Sequence, residues 1–307
     1  MSDVAVLLAT YNGEKYIAEQ LDSLLNQTYQ DFICYIHDDG SKDQTIQICQ
    51  EYKKMHPGKF KILDYAPTGG AKNNFLSLMK NVDAGLVMFC DQDDVWLPNK
   101  IEEMMEAVRS AEGDFLAFSD LKIVDEQLNV LEDSFYQAMH IQVDKINYKN
   151  ALIKGFIPGC TMMVNRELIQ KALNYKNECN IKMHDWWLVI MALITDARMI
   201  FVNKQLGFYR QHSTNTIGAK EQSTVDRVRF NLKRILDGTL RVEKKKNLST
   251  PRLQAQELYE TGIGSEDKRQ FVKQYAEIGK KNKISRIGFY LKNFQDVYRM
   301  WWMVLWV

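Results

Sequence analysis

Long hydrophobic runs, paired cysteines and glycine-rich phosphate loops are all missing from this chain of 307 residues. No apolar stretch reaches the roughly 20 residues needed to cross a bilayer, so no membrane-spanning helix is expected. The five cysteines (Cys34, Cys49, Cys90, Cys160 and Cys179) are odd in number and form no CxxC pair. Most sit among apolar neighbours. That pattern predicts buried free thiols in a reducing cytoplasm rather than a disulfide framework or a zinc site. The start, Met1-Ser2-Asp3-Val4, carries no basic segment and runs straight into a strand pattern, so no signal peptide is expected. No GxGxxG follows that first strand, and no GxxxxGK[ST] occurs anywhere. Phosphates are therefore not held by either of those loops. No repeat, low-complexity tract or nucleic-acid-binding motif is visible, and nucleic acid is not an expected partner.

What is present is ordinary in bulk and uneven in distribution. Hydrophobic residues make up 46% and charged residues 26%, the composition of a globular protein. The length suits one large domain, or a domain plus an appendage. The net charge of +1 conceals an asymmetry. Residues 220–307 hold 19 Lys and Arg against 10 Asp and Glu, a net of +9; residues 1–219 hold 21 against 29, a net of −8. An acidic first part and a basic second part suggest two units, 1–219 and 220–307.

The first part alternates strand and helix signals. Val4–Thr10 reads as a fully buried strand, and Tyr16–Asn26 as a helix with Ile17, Leu21, Leu24 and Leu25 on one face. Phe32–His37, Phe60–Asp64 and Ala84–Cys90 read as strands, with helices at Asp43–Met55 and through Phe75, Leu78 and Met79. Leu116–Asp120, Cys160–Val164 and Met199–Val202 are further strand candidates. This spacing predicts βαβ units and a mostly parallel sheet flanked by helices, an α/β fold. Beyond about Ala219 strand signals stop and basic helical patterns take over, interrupted at Gly262-Ile263-Gly264-Ser265.

Three strand ends carry polar clusters: Thr10-Tyr11-Asn12, Asp38-Asp39-Gly40-Ser41 and Asp91-Gln92-Asp93-Asp94. Ligands of open α/β sheets gather at the carboxyl ends of strands, so three such clusters define a crevice of the nucleotide-binding kind. Carboxylates there offer hard oxygen ligands to Mg²⁺ or Mn²⁺, which in turn binds a diphosphate. The plain alternative for Asp91–Asp94 is a polar turn whose acids cap the next helix.

Together with Ala9 and Gly13, and with Asp43 following, these clusters resemble the three N-terminal signatures of the family-2 glycosyltransferases, which have the GT-A fold. The resemblance covers roughly residues 4–100. It implies Thr10, Tyr11 and Asp39 as base or ribose contacts, with Glu14 nearby. The DxD motif of that family is here Asp91-Gln92-Asp93, which implies Asp93 as a metal ligand, Asp91 at the metal or the ribose, and Gln92 on the donor side. Asp94 is left as a cap for the helix near Pro98. Met183-His184-Asp185-Trp186-Trp187 resembles the acceptor-side motif, with Asp185 as general base and His184, Trp186 and Trp187 facing the acceptor. The alternative is a helix start with the two tryptophans in the core. His212 resembles a further metal ligand, and Arg210 could reach a phosphate. Lys72 and Asn73, after Gly69-Gly70, resemble a donor-side loop, and Gly159-Cys160-Thr161 an acceptor-side one.

The resemblance implies a metal-dependent inverting enzyme of the cytoplasm using Mn²⁺ or Mg²⁺. The HDWW and DQDD forms look most like bacterial rhamnosyltransferases of cell-wall or capsular polysaccharide synthesis, which use dTDP-L-rhamnose. A UDP-linked donor is the alternative, and the acceptor would be a glycan or lipid-linked. A nucleotidyltransferase and a non-catalytic membrane-associated sugar-binding protein are the rival readings. Arg286–Lys292 and the end bearing Trp301, Trp302 and Trp306 form a basic, aromatic pattern. It suits the inner face of an anionic membrane, packing on the catalytic domain, or a homodimer interface.

Overall fold

The structure, a computed structural model, describes residues 3–212 and 239–294, with side chains in the second stretch from Leu248 onward. Val4–Thr10 (β1) is apolar on both faces and lies buried at the sheet centre, as a continuous hydrophobic run requires. Ile17–Leu25 (α1) buries Ile17, Leu21 and Leu24, a helical stripe, against it. Phe32–Asp38 (β2), Thr45–Met55 (α2), Phe60–Ile62 (β3), Ala71–Asn81 (α3) and Leu86–Asp91 (β4) follow. Each buried Leu, Ile or Phe of this core contributes about 1.5–3 kcal/mol through the area it removes from water.

Val95–Trp96 (β5), Lys100–Val108 (α4), Phe115–Val124 (β6), Val130–Glu132 (β7), Phe135–Ala138 (α5), Tyr148–Ile153 (α6), Met162–Asn165 (β8), Arg166–Ala172 (α7), His184–Ile194 (α8) and Arg198–Arg210 (β9) continue the chain. The strand order is β3-β2-β1-β4-β8-β6-β9-β5, with β7 on β6. The β3-β2-β1-β4 half is parallel, as the βαβ spacing predicts. In the other half β6 and β9 are parallel, but β8 runs antiparallel to both β4 and β6, and β5 and β7 pair antiparallel to β9 and β6. The sheet is therefore mixed. The reason is that β8 enters between β4 and β6 against their direction, and short β5 and β7 pair without a crossover helix.

The chain divides into two compact units. The first, residues 1–146, 155–174 and 183–212, holds the sheet; the second takes 147–154, 175–182 and 213 onward. The expected boundary at 219/220 and the Trp-rich end lie outside the described residues. Within the second unit, helices Thr239–Thr261 and Glu266–Glu277 are separated by the glycine-containing break, where Gly262 and Gly264 have φ of 71° and 98°. Glu257 there accepts backbone N–H bonds from Lys176 and Asn177, at 2.5 and 2.9 Å. Phe271, Phe289 and Phe294 form an aromatic cluster with Tyr148. Among the described residues no helix is long and apolar enough to cross a membrane.

Candidate active site

The three polar clusters lie side by side because β2, β1 and β4 are neighbours. Thr10 is in register with Asp38, and Ala9 with Asp91. Thr10 is buried and donates through Oγ1 to Asp38 Oδ1 at 2.9 Å, so it braces the crevice floor. Tyr11 is 52% exposed, and its backbone is clamped: its N–H donates to Gln92 Oε1 and its carbonyl accepts from Gln92 Nε2, both at 2.9 Å. Gln92 thus spends its amide on tying the first cluster to the third. A Cβ on Gly13 would run into that amide, which explains the glycine. Asn12 sits at φ 46°, a left-handed position that asparagine tolerates, and its Oδ1 accepts the Lys42 N–H at 2.9 Å.

The expected donor-side carboxylates are already bonded. Glu14 accepts the Gln44 N–H at 2.9 Å, just ahead of α2. Asp39 holds the turn before α3: Thr68 and Gly69 donate to one oxygen, and Gly70 to the other. Burial pushes the Asp39 carboxyl up, but the N–H groups of Thr68 and Gly70 outweigh it, and the pKa ends below the ordinary value. Asn73 Nδ2 donates to the Thr68 carbonyl at 2.9 Å, and Lys72 is half-buried at the start of α3.

At the end of β4 the acids converge. Asp93 Oδ2 lies 2.8 Å from His212 Nε2, joining residues 119 apart in sequence. Burial, then the Asp93 and Asp185 carboxylates, push Asp91 up to about 7. Asp94 is almost fully buried, and one oxygen each of Asp91 and Asp94 falls within 4.8 Å of the Cys160 thiol and of the other. It does not cap α4, as the sequence suggested; Asn99 precedes that helix. Burial and the neighbouring carboxylates push Asp94 well above the ordinary range.

Arg210 does not reach into the crevice. Its buried guanidinium donates to the carbonyls of Asp93 and Glu126, at 2.9 and 2.7 Å, and pairs with Glu19. The phosphate contact expected of it is replaced by a structural one.

Asp185 stands in the first turn of α8. Its Oδ2 accepts the Gly159 N–H at 3.2 Å, and its Oδ1 the Trp186 N–H at 2.6 Å. Its charge is close enough to act on Asp91. Trp186 is partly exposed, packed where a Cβ on Gly155 would lie 3.3 Å from it. Trp187 is fully buried and donates Nε1–H to the Ala172 carbonyl at 2.7 Å, so it is core and its faces are closed to an acceptor. His184 is also inside, stacked on Phe75 with ring centroids 4.1 Å apart. Burial lowers its pKa to about 4, so the ring is neutral.

The sequence residues 5–173 match the family model described as glycosyl transferase family 2. The chain belongs to that family. Among curated relatives it is similar to dTDP-rhamnosyl transferase RfbG of Shigella flexneri, 31% identical over 221 residues covering 69% of this chain and 74% of that one. Among solved structures it resembles S. aureus TarS 1–349, with TM-score 0.58 and 17% identity over 97% of this chain and 75% of that one. It also resembles the mannosyltransferase PcManGT of Pyrobaculum calidifontis in complex with GDP-Man and Mn²⁺, with TM-score 0.57 and 12% identity over 94% and 75%. These likenesses establish the GT-A fold. The family-2 membership makes the chain a glycosyltransferase and sets aside the nucleotidyltransferase and non-catalytic readings.

For a family-2 glycosyltransferase the donor set is chemically apt. Carboxylate oxygens and one imidazole nitrogen suit Mg²⁺ or Mn²⁺. A divalent cation would also relieve the repulsion that raises Asp91. One residue escaped the sequence reading: Lys100, a fully buried lysine in the first turn of α4. Its only signal was a lysine nine positions after an acidic strand end, too common to single out.

Proposed function

We propose that this glycosyltransferase moves a sugar from a nucleotide diphosphate to a hydroxyl of a glycan or lipid-linked acceptor, by a metal-dependent single displacement with inversion. The observation that carries the reading is the convergence of Asp91, the Asp93–His212 pair and Asp185 at one crevice. Asp93, His212 and Asp91 would hold the cation, which when bound neutralises charge on the departing diphosphate. Asp185, fixed by the Gly159 N–H, takes the proton of the acceptor hydroxyl. Tyr11 offers an exposed ring to the base, while Asp39 and Glu14 shape the walls. Trp186 is the tryptophan available to a sugar face.

The dTDP-rhamnosyl transferase named among the relatives supports dTDP-L-rhamnose as the donor. TarS, solved in complex with UDP-GlcNAc, supports the alternative of a UDP-sugar. Asp185→Asn tests the base. It should lower kcat about 10³-fold or more while the donor KM stays within twofold. Near-normal turnover in that variant refutes the assignment.

We also propose that the second unit meets the inner face of an anionic membrane. Helix Lys283–Asn293 leaves Ile284 84% and Leu291 44% exposed, and Lys280, Lys281, Lys283, Arg286 and Lys292 accompany them with no acidic residue between. The full chain should float with phosphatidylglycerol vesicles and not with phosphatidylcholine ones, and Ile284→Glu/Leu291→Glu should abolish flotation. Unchanged flotation of that variant contradicts the role of this helix; a dimer that it dissolves would place a second copy there instead.

A further inference from the structure

Residues i and i+2 of an extended chain share a face. At the end of β9, Gln211 keeps the strand pairing, its N–H on the Val124 carbonyl at 2.8 Å, while Arg210 and His212 turn toward the acidic strand end. The Arg210 side chain is 2% exposed, and a guanidinium offers five N–H donors in a fixed planar fork. Nε donates to the Asp93 carbonyl at 2.9 Å, Nη1 donates to the Glu126 carbonyl at 2.7 Å, and Nη2 is paired with the Glu19 carboxylate. The central carbon of the guanidinium also lies 4.8 Å from the centre of the Tyr16 ring.

These contacts reach both halves of one pair. Asp93 Oδ2 and His212 Nε2 are 2.8 Å apart. Arg210 holds the backbone of Asp93, and so the point from which its carboxylate starts. It meets His212 through Tyr16, whose ring centre is 4.8 Å from that of His212, with 30° between the planes. Tyr16 and Glu19 stand at the start of α1. Glu126 stands in the turn after β6, where Asp125 accepts the N–H groups of Gln127 and Asn129, both at 2.9 Å. One buried side chain therefore joins the start of α1, the turn after β4, the turn after β6 and the end of β9.

We propose that Arg210 is a positioning residue: its guanidinium fork sets the separation and facing of Asp93 and His212, and with them the geometry open to a divalent cation. The inference rests on the proposed use of that pair as metal ligands. Mg²⁺ demands near-ideal ligand placement at about 2.1 Å, so a small shift of either side chain is felt. Partners that orient metal ligands are typically worth about 10–100-fold in metal affinity. Arg210 touches no substrate, and its charge is already matched by Glu19.

The test is Mn²⁺ binding to the full chain in the presence of dTDP or UDP, read from the electron paramagnetic resonance of free Mn²⁺, well below the Tm of each variant. Arg210→Lys keeps a positive charge but replaces the fork by a single point, and should raise the Mn²⁺ Kd at least about 10-fold. Glu19→Ala, at a side chain 55% exposed, frees one end of the fork and should raise the Kd as well. Arg166 is the control. It holds the Met79 and Val82 carbonyls at 3.3 and 3.0 Å and pairs with Asp83, at the opposite end of β4. Arg166→Lys should leave the Kd within about twofold, even where its Tm falls as far as that of Arg210→Lys. An unchanged Kd in Arg210→Lys overturns the proposal, as does an equal loss in Arg166→Lys. Should Arg210→Lys not fold, Glu19→Ala decides, and an unchanged Kd there overturns the proposal. His212→Ala tests the reading beneath it. A loss of Mn²⁺ affinity in His212→Ala without one in Arg210→Lys removes the positioning role and spares the metal site. No loss in His212→Ala removes the metal reading, and this proposal with it.

Discussion

His184 and Asp185 are chain neighbours in opposite surroundings: the histidine is buried in the core and the carboxylate is half-buried. His184 is packed against Phe75 and Phe89 and kept neutral, with a pKa of about 4 instead of 6.5. Its unfolded form takes up a proton from about pH 6.5 downward and its folded form only near 4. Its contribution is therefore present above pH 6.5 and lost as the pH falls toward 4, up to roughly 3 kcal/mol. Asp91 runs the other way: its folded pKa of about 7 exceeds the ordinary 3.8, so its contribution is present at acid pH and lost as the pH rises through 7. In metal-free melting curves from pH 4 to 8.5 the two groups act over the same range, about pH 4 to 7, with opposite signs, and so largely offset each other in the parent. His184→Phe should make the protein less stable as the pH rises from 4 to 7, and Asp91→Asn should make it less stable as the pH falls from 6.5 to 4; variants whose curves keep the parent's shape contradict these environments. The motif spelling pointed to Asp93, His212 and Asp185, of which the fold brings Asp93 and His212 within 2.8 Å. It could not show that Trp187 and His184 face inward, because HDWW reads alike as a site or as a core helix start. Nor could it show that Gln92 is spent on Tyr11, 81 residues away, since such a pairing exists only once β1 and β4 are adjacent.

At the level of elements, apolar runs located the strands and turn chemistry ended them. β1 spans the run from Val4 to Thr10, and α2 starts two residues later than its acidic lead-in, at Thr45. β9 extends far beyond the apolar Met199–Val202, to Arg210, because its later residues pair with β5 and with Lys122–Val124 of β6. That extension carries Arg210 and His212 back to the acidic cluster, and periodicity gave no hint of it. The reversed direction of β8 was equally hidden, since a buried strand is apolar whichever way it runs. The turn after it in space, Gly159–Thr161, is what glycine makes possible: a Cβ on Gly159 would lie 2.7 Å from His184 Nε2 and 3.3 Å from the Asp185 Cβ. This close approach is what brings a backbone N–H within reach of Asp185.

For the molecule as a whole, charge is distributed unevenly between the two units. The acidic residues converge in the sheet-bearing unit, and five basic residues cluster at the described end of the helical one. The family match ends at residue 173, so Asp185, Trp186 and His212 lie beyond it and rest on geometry. The central claim is that those residues and the acidic strand end form one metal-dependent nucleotide-sugar site. Calorimetric titration of dTDP, dTDP-L-rhamnose, UDP and UDP-GlcNAc with and without Mn²⁺ measures it directly. The account predicts that dTDP compounds bind at least about 10-fold more tightly with Mn²⁺, a gain of 1.4 kcal/mol or more, and that Asp93→Ala abolishes the gain. Equal binding with and without Mn²⁺ in the parent protein would contradict it.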